Sequence, residues 1–373
     1  MNLPILGARV TMFNSVRAGS IVVALLILAG CAPSNVPRAA SGASAFPGLS
    51  LSLDELKSRY QHMYVGKRLR PKKWPNGARV AVALSFDVDN STVPLGRGTP
   101  GSEPMTTGQY SAFDGLPRIL RLLDRQNVPA SFFIPAVSAA LNPEMIPAIQ
   151  SKGRHEIGMH GWIHEDLVDL NDEAREQQLL NQAIELMTKM LGKKPVGFRA
   201  PSWALSQCTM KQIRDAGLLY DSSLMSSDDA YEVLLDAKPT GVVELPIGRI
   251  LDDYAYYGGS ADGSIPSPEM VDKIYRDEFD VAYEEGGLYV LTMHPHITGH
   301  RSRALWLEKL IVHMKSMPGV WFATHEDVAK FVKTAELQQR SFSTDCYAAS
   351  SARAFRFRTS HSTAEAGRLR LFL

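Results

Sequence analysis

From about residue 78 the chain alternates short, continuous apolar runs with stretches in which apolar residues recur every three or four positions. Arg79–Phe86, rich in Val, Ala and Leu, predicts a buried strand. Ala130–Ile134 and His155–His160 predict the next two, and Pro195–Phe198 leads into Arg199. Leu218–Asp221, Val242–Leu245, Leu288–Met293 and Val320–Ala323 complete the strand candidates. Between them, Leu116, Ile119, Leu120 and Leu123 mark an amphipathic helix. Asn171 offers a cap for a long helix with the apolar face Leu179, Ala183, Leu186 and Met190, ending at Gly192. Ser267-Pro268 opens another that stops at Gly286-Gly287, and a further helix covers 302–315.

Strands alternating with helices predict an α/β fold, a parallel sheet with helices outside it. Seven or eight strand candidates over roughly 260 residues suit a distorted (β/α) barrel better than an open sheet. Asp87, Asp89, His160, His164, Arg199 and His294 all fall at or just after the C-terminal end of a strand candidate. That rim is where (β/α) barrels gather their active sites.

The ends of the chain read differently. In residues 1–31, Arg9 and Arg17 precede the uncharged run Ile21–Ala29. That run is too short to span a bilayer, but has the length of a secretory apolar region. Leu28-Ala29-Gly30-Cys31 resembles a bacterial lipobox, which predicts lipidation at Cys31. The alternative is a plain signal peptide cleaved nearby. The expectation is an exported lipoprotein, anchored to a membrane of the cell envelope on its periplasmic side. Residues 32–59, rich in Ala, Ser, Pro and Gly up to about residue 50, predict a flexible tether, and 60–336 a catalytic domain. Residues 337–373 scatter arginines among Ser, Thr and Ala with little periodicity, and predict a disordered or poorly packed tail.

Composition narrows the function. The 373 residues are 45% hydrophobic and 21% charged, with a net charge of +1, an ordinary globular balance that gives no sign of a nucleic-acid partner. The three cysteines show no CxxC spacing, so no cysteine zinc site or disulfide framework is indicated. The chemistry lies in histidines and carboxylates. His160 and His164, at i and i+4, share a helix face or flank one tight turn, and two such imidazoles can hold a borderline metal such as zinc. The candidate third ligand is upstream, in Asp87-Val88-Asp89.

Five segments in order resemble the motifs of the polysaccharide deacetylase family, the NodB-homology or carbohydrate esterase 4 type. They are Ser85–Asp89, His160–His164, Gly197–Trp203, Tyr220–Ser223 and Leu291–Pro295, and the resemblance spans about residues 60–332. The nearest branch looks like the one with peptidoglycan deacetylases and allantoinase-like and cyclic-imide amidohydrolases. Val88, inserted between the aspartates, and Ser202, where tyrosine is usual, depart from chitin and xylan deacetylases.

The resemblance implies a divalent metal, zinc first, on Asp89, His160 and His164. It implies Asp87 as general base oriented by Arg199, and His294 as general acid. It also implies the Ser202 backbone N–H as an oxyanion donor. Asp221 is the candidate to orient His294, with Asp228 and Asp229 competing, and Trp203 a candidate to stack on a sugar. Trp162, Tyr254, Tyr256 and Tyr257 are further candidates for an aromatic wall. The expected activity is metal-dependent hydrolysis of a non-peptide C–N bond, removing acetyl from an N-acetylated glycan such as peptidoglycan or a chitooligosaccharide. The alternatives are hydrolysis of a small cyclic amide or imide, and a glycan-binding lipoprotein on an inactive scaffold. Relatives of this type form homo-oligomers, so self-association is an expected partner mode.

Overall fold

A computed structural model describes residues 47–259 and 264–338. The expected signal peptide, Cys31 and nearly all of the expected tail lie outside the described residues. Pro47–Ser50 forms a 3-10 turn, and the body that carries the site begins at Ser52.

Ten strands make one curled, mixed sheet among the described residues. They are β1 (Met63–Arg68), β2 (Val80–Asp87), β3 (Ser131–Ile134), β4 (Glu156–Met159), β5 (Gly197–Phe198), β6 (Tyr220–Asp221), β7 (Tyr231–Leu235), β8 (Lys238–Glu244), β9 (Leu288–Met293) and β10 (Val320–Ala323). Their order is β1-β7-β8-β6-β5-β4-β3-β2-β10, with β9 paired to β2. From β8 to β10 the neighbours are parallel, and helices cross over between them. On the far side of β9 a single parallel bridge, Asp252 to Thr292, brings in the chain that follows β8. The result is the distorted (β/α) barrel expected, incompletely closed at that bridge. The hairpin β7–β8 and its antiparallel partner β1 form an edge that the sequence reading missed.

The strand alternation fixes what faces the barrel interior. In β2, Val80, Val82, Leu84 and Phe86 join the core under the helices, whereas Ala81 and Ala83 join the interior cluster. Successive side chains point to opposite faces, so Ser85 and Asp87 follow the alanines inward. Val88 is fully buried in the outer core, which returns Asp89 to the inner face. The inserted valine therefore puts both aspartates on one side. In β9, Tyr289, Leu291 and Met293 pack outward and Leu288 and Val290 inward, so His294 also falls on the inner face.

The helices follow their local signals with small shifts. Leu116–Gln126 buries Leu116, Ile119, Leu122 and Leu123 and ends on Asn127 in the left-handed region. Glu173–Leu191 ends at Gly192 as expected, but Asp172 caps its start. Asn171, at φ 45°, terminates the preceding turn instead. Pro268–Glu285 is capped by Ser267, and Arg301–Ser316 follows the His294 loop. Leu53–His62 is a helix that starts in the segment expected as tether and runs into the expected catalytic domain, begun by a Ser52/Glu55 capping box. Among the described residues no helix is long and apolar enough to cross a membrane.

Two close approaches hold the rim loops. A Cβ on Gly108 would lie 2.4 Å from the Asn90–Ser91 backbone, and one on Gly115 2.2 Å from the Pro295 carbonyl oxygen. Helix Ser102–Tyr110 and the π-turn Ser111–Gly115 thus press directly on the loops after Asp89 and His294.

Candidate active site

The rim carries a cavity of about 620 Å³, lined by Asp87, Asp89, His160, His164, Ser202, Trp203, Asp252 and His294 among others. Four non-glycine residues there, Asn90, His164, Ser202 and Trp203, have φ between 51° and 63°. Backbone strain of this kind costs about 1–3 kcal/mol per residue and clusters at sites where geometry is functional.

His160 and His164 flank a tight turn, not a helix. His160 directly follows β4, Gly161 comes next at φ 73°, and His164 itself lies at φ 63°. Glu165 holds the turn by accepting from the Trp162 and Ile163 amides at 2.7–3.0 Å. The rings come 5.1 Å apart at 78°. His160 Nδ1 lies 2.8 Å from the Arg199 carbonyl oxygen, which only accepts, so Nδ1 carries the proton and Nε2 presents a lone pair. That Nε2 is 3.5 Å from Asp89 Oδ1, and His164 Nε2 is 3.8 Å from Asp89 Oδ2.

Asp89 is buried and its Oδ1 has no hydrogen-bond donor. Burial lowers the pKa of both imidazoles, His164 to about 4, and raises that of Asp89. Neutral imidazole lone pairs converging on an orphaned carboxylate oxygen lack only a cation. Ligand atoms of Asp89, His160 and His164 lie within 4.8 Å of one another, and the set suits zinc or another first-row divalent ion. These residues fit the metal that the sequence implied.

Asp87 sits beside this set, its Oδ2 3.9 Å from His160 Nε2. Arg199, fully buried, donates from Nη1 to Asp87 Oδ1 at 2.7 Å and to Ser85 Oγ at 2.9 Å. Burial pushes the Asp87 carboxyl up, but Arg199, His160 and His294 together outweigh it and hold it below the usual carboxylate range. Arg199 is itself tethered, through Nε to the Ser222 carbonyl and Nη2 to Ser222 Oγ, both at 2.9 Å. Its guanidinium also lies over Phe133, 4.1 Å from the ring centroid.

Behind Arg199 runs a buried polar chain that sequence reading missed. Arg199 Nη2 lies 3.4 Å from His325 Nε2, and the His325 backbone N–H donates to Ser131 Oγ at 2.8 Å. Ser131 in turn donates to Glu156 Oε2 at 2.7 Å, and Tyr220 donates to Glu156 Oε1 at 2.6 Å. His325 begins helix His325–Thr334 just after β10, where no motif marks it.

Across the cavity, His294 Nδ1 is 2.7 Å from Asp253 Oδ1. Asp253 Oδ2 accepts from the His294 backbone N–H at 2.9 Å and from Thr298 Oγ1 at 2.6 Å. His294 Nε2 faces Asp89 Oδ2 at 4.0 Å. Burial works against the charged ring, but Asp253, Asp252 and Asp89 more than offset it and raise its pKa well above the usual value. Asp252, also buried, lies 3.8 Å from His294 Nδ1 and has an unpartnered Oδ2. Burial raises its pKa to about 7.

Asp221 does not orient His294. Tyr220 and Ser222 reach Glu156 and Arg199 inside the barrel, so alternation turns Asp221 the other way. It accepts from Ser223 Oγ at 2.9 Å, and its β6 position pairs with Glu244 of β8. Of its competitors, Asp229 pairs with Arg70 at 3.0 Å and Asp228 is exposed. The available signal for Asp253 was the Asp252-Asp253 pair beside Tyr254, which carries no motif of its own.

Of the aromatic candidates, Trp203, Tyr254 and Tyr257 line the cavity, whereas Trp162 and Tyr256 pack against the outer core. His296 and His300 also line it.

A sequence profile described as polysaccharide deacetylase matches residues 108–220. The fold matches the crystal structure of a Mycobacterium smegmatis protein assigned to the polysaccharide deacetylases, with TM-score 0.66 and 35% identity, over 74% of this chain and 99% of that one. The chain belongs to the polysaccharide deacetylase family. A peptidoglycan deacetylase of Helicobacter pylori is 28% identical over 281 residues, 67% of this chain and 95% of that protein. The crystal structure of an allantoinase matches with TM-score 0.62 over 69% of this chain and 91% of that one, and at 23% identity it shows the shared fold alone. For this deacetylase-family chain the profile spans His160 to Arg199 but neither the two aspartates nor His294, which the barrel adds to the site.

Proposed function

We propose that this chain hydrolyses the acetamide of an N-acetylated glycan, peptidoglycan first, releasing acetate and a free amino sugar. One observation carries the reading: Asp87, bonded to Arg199, and His294, bonded to Asp253, flank one convergent Asp89, His160 and His164 set, at 3.9 Å and 4.0 Å. A base and an acid beside one cation site are what acyl transfer from an amine requires. The similarity to the H. pylori peptidoglycan deacetylase supports the glycan, and the lipobox-like segment ending at Cys31 supports a site in the cell envelope.

Asp87, Arg199 and His294 divide the proton work. Asp87 takes a proton from the attacking water, and Arg199 keeps the carboxylate ionised and aimed. The tetrahedral oxyanion faces the backbone N–H of Ser202, a residue of the cavity lining. His294 Nε2 then gives its proton to the departing nitrogen, because an amine anion is too basic to leave. Asp253 keeps that imidazole cationic and oriented. Such acid–base assistance contributes about 10²–10⁴-fold in rate. A divalent metal on Asp89, His160 and His164 would supply Lewis acidity, acidifying water and polarising the acyl oxygen.

The second reading is hydrolysis of a cyclic amide, favoured by the Asp87-Val88-Asp89 spacing. The two separate in a substrate panel. Acetate from peptidoglycan fragments, with no opening of hydantoins or imides, supports the glycan. Ring opening without acetate release replaces it.

A further inference from the structure

The floor of the cavity is acidic, but its mouth is not. Arg97, Arg249 and Arg303 all line it, with Glu103 the only acid beyond the catalytic floor. Glu103 accepts from Thr107 and pairs with none of the three. No carboxylate forms an ion pair with Arg97, Arg249 or Arg303 among the described residues, although the whole chain has nearly equal numbers of acids and bases.

Two of these arginines are held in place without spending their charge. The Arg249 guanidinium lies 5.5 Å from the Trp203 ring centroid, and that of Arg303 lies 4.0 Å from the Tyr257 centroid. Arg303 also donates from Nη1 to the Ile297 carbonyl at 3.2 Å. Trp203 is the ring expected to stack on a sugar and Tyr257 a candidate for the aromatic wall, and each has a guanidinium on one face. A guanidinium seated on an aromatic ring loses little further freedom when it binds, and its N–H fork matches a carboxylate.

We infer that the mouth of the cavity binds a carboxylate carried by the substrate, so that the preferred substrate is an acidic N-acetylated sugar rather than a neutral one. Arg249 on Trp203 is the main anion-binding residue, with Arg97 and Arg303 adding charge around it. The inference rests on the glycan reading above and names its class: an amino sugar bearing a lactyl ether or a comparable acid near the acetamide.

Binding and turnover are tested separately. Full-length chain with Asp87→Asn, which holds substrate without turning it over, is titrated calorimetrically with three disaccharides. They are N-acetylglucosaminyl-N-acetylmuramic acid, its methyl ester and N,N′-diacetylchitobiose. The free acid binds about tenfold more tightly than either neutral sugar, as expected for one charge-assisted contact at a partly exposed site. Arg249→Gln and Arg97→Gln each shrink that difference and leave the affinity for the ester unchanged. Equal affinity for acid and ester overturns the inference, as does an equal loss for both in the arginine variants or no binding of the acid. If wild-type chain binds the acid selectively but releases no acetate from it, the deacetylase reading fails and the carboxylate site stands.

Discussion

His294 is held by Asp253: the Nδ1 to Oδ1 distance is 2.7 Å, and the same carboxylate also takes the His294 backbone N–H. One aspartate thus sets the proton on Nδ1, fixes the ring and stabilises its charge. Asp253→Asn keeps the size of the side chain and removes the charge. It is expected to lower kcat by about 100-fold or more, within the range of general-acid contributions. Asp221→Asn, on the opposite face of β6, changes kcat only a few-fold. A steady-state assay of acetate release compares the two, and equal losses would argue against Asp253 as the partner.

Metal binding and proton transfer separate in a second pair. His160→Ala removes a ligand atom from the Asp89, His160 and His164 set and is expected to lose both bound metal and turnover. Asp87→Asn abolishes turnover and retains metal. Elemental analysis of the purified variants reads the metal, and full activity in either variant contradicts these assignments.

Much of this site was legible in the sequence because strand alternation and motif order carry it. The sequence places Asp87, Asp89, His160, His164, Arg199 and His294 on the rim, and the structure brings five of them into the lining of one cavity, with Arg199 fully buried and bonded to Asp87. Trp203 and Ser202 join the lining. Asp253 and His325 were not legible. Asp253 reaches the site through a single bridge between Asp252 and Thr292, a long-range contact with no local periodicity. His325 starts a helix whose visible signal, Thr324 with Asp327, is a cap. The antiparallel edge of β1 and β7 escaped because its burial is partial and its strands carry Lys, Glu and Gly. Asp221 was assigned a role that a one-residue parity forbids.

The chain from Arg199 through His325 and Ser131 to Glu156 is expected to matter for stability as well as catalysis. His325→Ala leaves Arg199 short of a contact and opens a gap beside Phe133, whose ring centroid is 5.3 Å from that of His325. The expected cost is about 2–4 kcal/mol, the range for breaking a buried polar network. A denaturant midpoint shift checks it, and an unchanged midpoint contradicts it.

Glu156 makes stability depend on pH. Burial raises its pKa from an ordinary 4.5 to about 7, against the hydrogen bonds from Tyr220, the Glu326 amide and Ser131. The folded pKa lies above the unfolded one, so the contribution is fully present below about pH 4.5 and is lost as pH rises through about 7. The span is on the order of 3 kcal/mol. Glu156→Gln cannot titrate, so its stability falls less than that of wild type between pH 5 and pH 8. Parallel unfolding curves at the two pH values would remove Glu156 as the cause.

On the proposed function, Asp87 is the base and His294 the acid of a metal-assisted deacetylase. The most direct measurement is acetate released from peptidoglycan fragments by purified full-length chain, before chelation, after chelation and after zinc is restored, with Asp87→Asn alongside. The expected result is release that a chelator stops, that added zinc restores, and that Asp87→Asn never shows. Acetate release that survives complete removal of metal, or that persists in Asp87→Asn, would contradict it.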